Sequence, residues 1–498
     1  MLSRPTLPYD ILECVINDLD DDDLSTMAMC CRLSHDINKP ASSKLYSRLG
    51  VDLVGSKGTI ERVSSMLHAA SLPRNCRRVK TVILRAKNPL NDQIYLEQRL
   101  FECAFQEFSC LENLTINIEG YMHSYTDNLV REGAIDSVLG LASKMASLRS
   151  LVFNPPLPGP VGNVLALFHH TPLRELCLIG CWDNPLQNTP VEFSQSLTRL
   201  QIRANQVVEN FIVLPELRVP TLPSVGNLRN LKSLTIGFGD TNKSHEMLES
   251  LALLPRLESL CLEFTNDGLN AFHSRRDRPL FPRETGLATS FSPLRNLKSF
   301  TVRHKDIDVR ETMIDVPRLC RWIKHIISLS SIEELSFERP FYPARTQNPN
   351  PKQSWDILVD NLADKHAKSL RYLDLRAGFV RKTAMEILLR KCNRLEELAV
   401  ATSPGSLVTL IRNASAVPRL LRAHFEFRTH KRARSPLRLG RSFNLREATD
   451  IMKAARLRRL TINDDEWLGS WVRDGDDALE YRVEAVATGS SGWEKSSS

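Results

Sequence analysis

A six-residue pattern of apolar and polar positions recurs along most of the chain. Its clearest copy is Leu-Lys-Ser-Leu-Thr-Ile at 231–236, with apolar residues at positions one, four and six. Twelve further copies begin at Val79, Leu111, Leu148, Leu173, Leu197, Leu257, Leu297, Ile332, Leu370, Leu395, Leu420 and Leu457. The alternation at positions four to six predicts a short strand with one buried face. Because such a strand cannot bury that face alone, we expect the copies to stack side by side.

The repeated phrase resembles the leucine-rich repeat. Neighbouring copies begin 24 to 40 residues apart, and helical patterns lie between some of them, at 355–368, 383–392 and 447–455. The resemblance implies an α/β fold, a horseshoe with a parallel sheet on its concave side and helices on its convex side. The asparagine or cysteine that follows the strand in that family is present only as Asn205 and Cys181. The sequence therefore predicts an irregular arc.

Residues 1–49 follow a different pattern, that of three short helices. The apolar residues on one stripe of the first helix are Ile11, Leu12, Val15, Ile16 and Leu19. Asp22 or Asp23 can cap a second helix, and a third segment runs from about residue 37 to residue 49. Three helices of this size cannot bury all of these apolar side chains among themselves. We therefore expect a partner to cover the remaining apolar face.

The same segment resembles an F-box. The shared residues are Leu7-Pro8, Asp10-Ile11-Leu12, Ile16, Leu19, Asp23-Leu24, Cys30-Cys31-Arg32 and Leu45-Tyr46. The resemblance implies docking on the Skp-type adaptor of a ubiquitin ligase and, through the adaptor, on a cullin. The positions that enter the adaptor correspond to Leu7, Pro8, Ile11, Leu12, Val15, Ile16, Leu19 and Leu24. Leu33 and Ser34 stand where the family has an aromatic residue, and Leu45-Tyr46 comes about three residues late.

These patterns divide the chain into four parts. Residues 1–49 are the F-box-like helical domain, and 50–75 form a linker helix. Residues 76–487 form the repeat solenoid with long inserts, and the Gly- and Ser-rich tail, 488–498, is expected to be disordered. An alternative for residues 1–49 is a helical cap that only closes the repeat array, since solenoids need polar-faced ends. The acidic stretch with Trp467 and Trp471 is expected to cover the last repeat.

The phase of the strands predicts which residues face the concave side. The fifth positions of the phrases are mostly small or polar, and the seventh positions carry charges of both signs. Such a surface suits recognition of a peptide or protein. The candidate substrate-binding residues are Arg203, Thr235, Glu263, Arg303, Glu338, Asp374 and Arg376. The alternative is that these positions are polar because an open strand face meets water.

Composition and charge indicate a soluble intracellular protein, in the cytoplasm, the nucleus or both. The chain has 498 residues and a formal net charge of +8, which does not favour a dedicated nucleic-acid binder. The N-terminus lacks the pattern of a signal peptide, and no apolar run is long enough to cross a membrane. The scattered cysteines are expected to be reduced. The basic run 428–441 fits a nuclear-import signal, an acidic-partner site, a phosphate contact or a solvated loop.

The sequence contains none of the catalytic motifs that we sought. A phosphate-binding loop, a dinucleotide glycine fingerprint, a nucleophile elbow and a zinc-protease helix are all missing from it. His169 and His170 are interpreted as a pair at a helix end, not as metal ligands. The sequence therefore predicts a protein that is not an enzyme and needs no cofactor. It would be a substrate receptor for an unknown protein target, and its alternatives are a repeat scaffold or an enzyme built into the inserts.

Overall fold

A computed structural model gives the architecture of the protein. The residues that it describes are 8–19, 23–52, 57–87, 98–119, 137–154, 167–168, 171–179, 195–203, 228–238, 251, 254–264, 294–304, 316–338, 355–427, 445–463, 465–473 and 479–486. The chain divides into two compact units, Met1–Leu231 and Lys232–Ser498. The basic run 428–441, the pair His169 and His170, the predicted tail and most of each long insert lie outside the described residues.

Each of the thirteen phrases forms a strand, so this part of the prediction is confirmed. In the first unit, β1 is Arg48–Asp52, β2 Thr81–Lys87, β3 Asn113–Glu119, β4 Ser150–Asn154, β5 Glu175–Ile179 and β6 Arg199–Arg203. In the second unit, β7 is Ser233–Phe238, β8 Ser259–Phe264, β9 Ser299–His304, β10 Glu334–Glu338, β11 Tyr372–Phe379, β12 Glu397–Thr402, β13 Arg422–Phe427, β14 Arg459–Ile462, β15 Asp465–Arg473 and β16 Leu479–Ala485. Consecutive strands pair in parallel from β1 to β6 and from β7 to β14.

A backbone hydrogen-bond ladder fixes the register of these strands. The carbonyl oxygen of Lys232, the second residue of its phrase, accepts from the backbone N–H groups of Glu258 (2.8 Å) and Ser259 (2.9 Å) in the next phrase. The carbonyl of Glu333 accepts in the same way from Arg371 (2.8 Å) and Tyr372 (3.0 Å). Because the register is kept from repeat to repeat, the apolar residues at positions one, four and six lie in rows and are buried.

Ten helices are described. The first three are α1 Tyr9–Asp18, α2 Leu24–Leu33 and α3 His35–Ser47, and the others are α4 Lys57–Ser71, α5 Gln98–Glu107, α6 Val316–Ile326, α7 Asp356–Lys365, α8 Lys382–Lys391, α9 Gly405–Arg412 and α10 Leu445–Ala455. The side chain of Asp23 caps α2 by accepting from the Thr26 N–H (3.1 Å), and Ser34 caps α3 by accepting from the Ile37 N–H (3.3 Å). The helices predicted between the repeats of the second unit are present as α7, α8 and α10. The fold class is therefore α/β, with helices at the N-terminus followed by a long, mostly parallel sheet.

The sheet begins earlier than the sequence predicts. Residues 48–52, which straddle the predicted boundary between F-box and linker, form β1, and Leu49 and Val51 pair with Val82 and Leu84 of β2. This register makes Tyr46 the first position of a further phrase. We missed that copy because an aromatic residue takes the place of the leucine. The predicted linker helix is present as α4.

At the other end, an antiparallel hairpin follows the last repeat strand. The strand β15 runs antiparallel to β14, and β16 runs antiparallel to β15. Trp467 is buried at this end, but Trp471 is exposed and contacts Tyr481 with ring centroids 5.1 Å apart. The end cap predicted from the tryptophans is therefore a pair of strands, and of the two tryptophans only Trp467 lies in the core.

One tryptophan determines the packing around a bulge in β11. Pairing with β12 is regular up to Leu375 and resumes at Phe379. Beside this bulge the fully buried Trp355 packs on Phe337, with ring centroids 4.4 Å apart, and its backbone N–H donates to the Phe379 carbonyl (3.0 Å). A Cβ atom on Gly378 would overlap the indole of Trp355. Glycine is therefore required at this position by close packing.

We predict that Gly378→Ala lowers the free energy of unfolding by about 2 kcal/mol or more, because Trp355 has no space in which to move without disturbing the core. Urea unfolding followed by tryptophan fluorescence would measure this change. The matched control is Gly405→Ala in the same unit, where a Cβ atom meets nothing within 4 Å. An equal effect of the two substitutions would contradict the packing described around Trp355.

Candidate interaction surface

Pairs of opposite charges occupy the seventh-position row of the sheet face in the second unit. Glu263 in β8 lies directly across from Arg303 in β9. Their side chains form an ion pair in which Arg303 Nη1 lies 2.9 Å from Glu263 Oε1, and the carboxylate is buried. A buried charge is tolerated only when it is paired. The strand register therefore accounts for two of the predicted substrate-binding residues as a structural pair.

The bulge in β11 creates a second pair within one strand. Arg376 donates its backbone N–H to Asp374 Oδ1 (3.1 Å) and its Nε to the same oxygen (3.0 Å). Its Nη2 donates to Asp374 Oδ2 (2.6 Å). Both carboxylate oxygens are thus held by one guanidinium group, which is the geometry of a strong charge-assisted pair. Asp374 is buried, and Arg376 is partly exposed.

The remaining predicted substrate-binding residues do not complete a single site. Thr235 is half-buried in β7, and Arg303 lies across from Glu338 in the register of β9 and β10. The side chains of Arg203 and Glu338 lie outside the part of the structure that is described. Arg203 belongs to the first unit, whereas the other six residues belong to the second. What the structure does bring together is two ion pairs.

The fifth-position row of the second unit is more buried than the sequence suggests. Thr235, Cys261 and Thr301 are half-buried, as expected for an accessible floor. From β10 to β14 the corresponding residues are buried, and they are Ser336, Asp374, Ala399, His424 and Thr461. Only the β7–β9 part of this floor is therefore accessible to a partner among the described strands.

Third positions of the phrases also pair across strands. Arg422 Nη1 lies 3.4 Å from Glu397 Oε1. Arg459 Nε lies 2.8 Å from Glu466 Oε1 on β15. The sequence shows only that these positions carry charges of both signs. The strand register shows that each of these arginines lies beside a glutamate. We call the sheet face that carries the third, fifth and seventh positions the inner face. On its described part, positive and negative side chains therefore largely neutralise each other.

Two buried histidines lie in the second unit. Burial lowers the pKa of His366 to about 4, with a smaller effect from Lys365. Its Nδ1 accepts from the Ile332 N–H at 3.4 Å, which joins the end of α7 to the start of β10. Burial also lowers the pKa of His424 to about 3, assisted by the positive charges of Arg376 and Arg459. Both imidazoles are therefore neutral at pH 7.

The N-terminal helices present a different surface, which is apolar. Ile11 and Val15, one turn apart on α1, are 47% and 54% exposed, and Met29 and Leu33, one turn apart on α2, are 60% and 69% exposed. Such pairs lie on the same side of a helix. Met29 and Leu33 were not among the predicted adaptor-binding residues, although their i, i+4 spacing is visible in the sequence.

The other predicted adaptor-binding residues lie in varied surroundings. Ile16 is only 3% exposed, so in the free chain it packs inside the helical module and is not available to a partner. Leu12 and Leu19 are half-buried, and Pro8 is exposed. Leu7 and the side chain of Leu24 lie outside the described residues. Lys44 of α3 holds the end of α1 by donating from Nζ to the carbonyls of Asn17 (2.8 Å) and Leu19 (2.5 Å).

With one parallel strand per repeat and a repeated hydrogen-bond ladder, the protein has the architecture of leucine-rich repeats. No protein-family model matches the chain, and no curated protein is similar to it. Many solved structures show some likeness, and two of them are the following. One is a Bacteroides fragilis protein with 12% identity and a TM-score of 0.27, covering 63% of this chain and 65% of that one. The other is a leucine-rich-repeat protein of Leptospira interrogans with 15% identity and a TM-score of 0.27, covering 78% and 92%.

The present chain therefore spans about 65% of the length of the Bacteroides protein. At these TM-scores neither likeness adds to what the strands and their register show. In the described part of the chain, no helix is long and apolar enough to cross a membrane. Among those same residues, no three His, Cys, Asp or Glu side chains gather as metal ligands would.

We predict that Asp374→Ala lowers the free energy of unfolding by about 3 kcal/mol, because it leaves the partly buried guanidinium of Arg376 without the carboxylate. Urea unfolding followed by circular dichroism would measure the loss. The matched control is Glu386→Ala, which removes the partner of Arg390 in an exposed pair on α8 and should cost less than about 1 kcal/mol. Similar small losses in both variants would show that water replaces the carboxylate.

The buried histidines predict a dependence of stability on pH. Below pH 6.5 the unfolded chain protonates both histidines, but the folded chain resists protonation of His366 until about pH 4 and of His424 until about pH 3. The free energy of unfolding should therefore fall as pH falls from 6.5 towards 4, by about 1.4 kcal/mol per pH unit for each histidine. His366→Asn should reduce this slope in urea unfolding, because it removes one of the two buried imidazoles. An unchanged slope in His366→Asn would contradict the prediction.

Proposed function

We propose that this protein is a non-catalytic substrate receptor of an SCF-type ubiquitin ligase. In this proposal, helices α1–α3 bind the Skp-type adaptor, which connects them to a cullin, and the repeats bind a target protein. The receptor contributes proximity, because it holds a lysine of the target near a ubiquitin that other subunits carry. It acts in the cytoplasm or the nucleus, and the reaction needs no cofactor on this chain.

The observation that supports the proposal is the exposed apolar surface on each of two helices, formed by Ile11 and Val15 on α1 and by Met29 and Leu33 on α2. Burying a side chain of this kind against a partner contributes about 1.5–3 kcal/mol. An apolar surface on a soluble helical module is a feature of protein interaction sites. The surface lies on the two helices whose sequence resembles the docking helices of an F-box.

The attachment of the module to the repeats uses a different helix. The end of α3 leads directly into β1, and Arg78, just before β2, donates to the hydroxyl of Ser42 in α3. The described contacts between the helical module and the first strands therefore come from α3. They do not use the exposed apolar residues of α1 and α2. For this reason we favour the receptor over a helical cap or a repeat scaffold that has no part in ubiquitin transfer.

We predict that the full chain binds a recombinant Skp-type adaptor and that Ile11→Asp with Val15→Asp weakens this binding by at least about tenfold, because each charge would be buried in an apolar interface. A pull-down and titration calorimetry would measure the affinity. Ile16→Ala should instead lower the thermal stability of the module, since Ile16 is buried.

The control is Asn17→Asp, which adds one negative charge at an exposed position of α1 away from Ile11 and Val15. It should bind the adaptor as the parent chain does. If the folded parent chain fails to bind the adaptor, the receptor proposal is wrong and a repeat scaffold is favoured. Equal loss of binding in Asn17→Asp would show that the proposed apolar surface does not form the interface.

A further inference from the structure

A basic surface runs along the edge of the second unit where the parallel strands begin. We define this basic edge by the second residue of each phrase from β7 to β13 and, for the phrases of β8 to β13, also by the two residues before the phrase. Its exposed basic residues are Lys232, Arg256, Arg295, Lys298, Lys368, Arg371, Arg394 and Arg419, and its acidic residues are Glu258, Glu333 and Glu396. Eight positive charges therefore face three negative ones.

The pairs on this edge do not remove the excess. Glu258 contacts both Lys298 (2.9 Å) and Lys232 (3.8 Å), so that two cations share one carboxylate. Glu396 accepts two hydrogen bonds from Arg371, each 2.9 Å. This arrangement contrasts with the inner face, where Glu263 and Asp374 each have an arginine partner. The strand-start edge therefore keeps a net positive charge.

A groove lies in the first part of the basic edge. It has a volume of about 470 Å³ and is lined on its basic side by Lys232, Arg256, Arg295 and Lys298. Asn296 and Ser331 add polar groups, and Glu258, Glu333 and Leu297 complete the lining. An open groove with four cations and two carboxylates suits an extended, negatively charged ligand.

The surroundings of the groove favour a polypeptide over a nucleic acid. Single-stranded nucleic acid is bound by aromatic side chains on which bases stack, and the edge positions from β7 to β13 contain no aromatic residue. The three glutamates would repel a backbone that carries a charge at every nucleotide. An acidic peptide can instead place neutral residues opposite those glutamates.

We propose that the basic edge, and not the inner face of the sheet, is the docking surface for the target, and that the target presents an acidic, extended segment. This inference rests on the proposed function, because it assigns the chemistry of the target. The inner face lacks the excess of either charge that would select such a partner. Arginine groups on the edge would bind side-chain carboxylates in the groove.

The test uses the full chain and a fluorescein-labelled peptide of alternating glutamate and serine, with the glutamine and serine peptide as its uncharged control. Fluorescence anisotropy should show binding of the acidic peptide that weakens as salt is raised. Arg256→Glu with Arg295→Glu should weaken this binding by about tenfold or more. The matched control is Lys382→Glu with Arg446→Glu, the same change of charge at exposed positions in the first turns of α8 and α10, and it should bind as the parent does.

Equal losses in the two double variants would overturn the proposal, because net charge alone would then explain the binding. It would also be overturned by unchanged binding in Arg256→Glu with Arg295→Glu, or by tighter binding of single-stranded DNA through the same arginines. Adaptor binding is measured on the same protein samples. If the parent chain binds the adaptor but not the acidic peptide, only this inference is contradicted. If the parent chain binds the peptide but not the adaptor, only the receptor proposal is contradicted.

Discussion

The carbonyl oxygen at the second position of a phrase accepts two backbone N–H groups from the phrase that follows, as Lys232 does from Glu258 and Ser259. This bond pair and the buried apolar positions are all that one repeat needs from the next. The residues between strands can therefore vary in number, and intervals of 24 to 40 residues keep the same register. Every row of side chains on the sheet depends on that register.

Because of this register, the inner face of the sheet and the basic edge carry charge differently. Residues that point to the inner face lie opposite one another at the spacing of strands, so Glu263 meets Arg303 and Glu397 meets Arg422. Residues just before a strand lie on the edge and project into water, where a carboxylate such as Glu258 is shared between lysines. A partner that selects by charge would therefore find a face on which opposite charges are paired, beside an edge on which basic residues outnumber acidic ones.

Much of the fold could be predicted from the sequence, because the apolar period is set by burial. Even the copy at Leu420, with Ala423 at its fourth position, forms a strand. The copy at Tyr46 was missed because its first residue is aromatic. The strand β15 was missed because the acidic stretch with Trp467 and Trp471 was expected only to cover the last repeat. The site was less predictable. The exposure of Met29 and the burial of Ile16 and Asp374 depend on packing between elements, which a linear pattern does not contain.

The hairpin of β15 and β16 affects which strands can pair with this end of the described sheet. Because β15 runs against β14, its exposed groups no longer match the parallel ladder, so a second array cannot continue the first by adding another repeat. The outermost strand, β16, carries Glu480, Arg482 and Glu484 at alternate, exposed positions. Charged side chains on an edge strand discourage pairing with a foreign strand. The charged side chains of β16 therefore disfavour its pairing with a strand of another molecule.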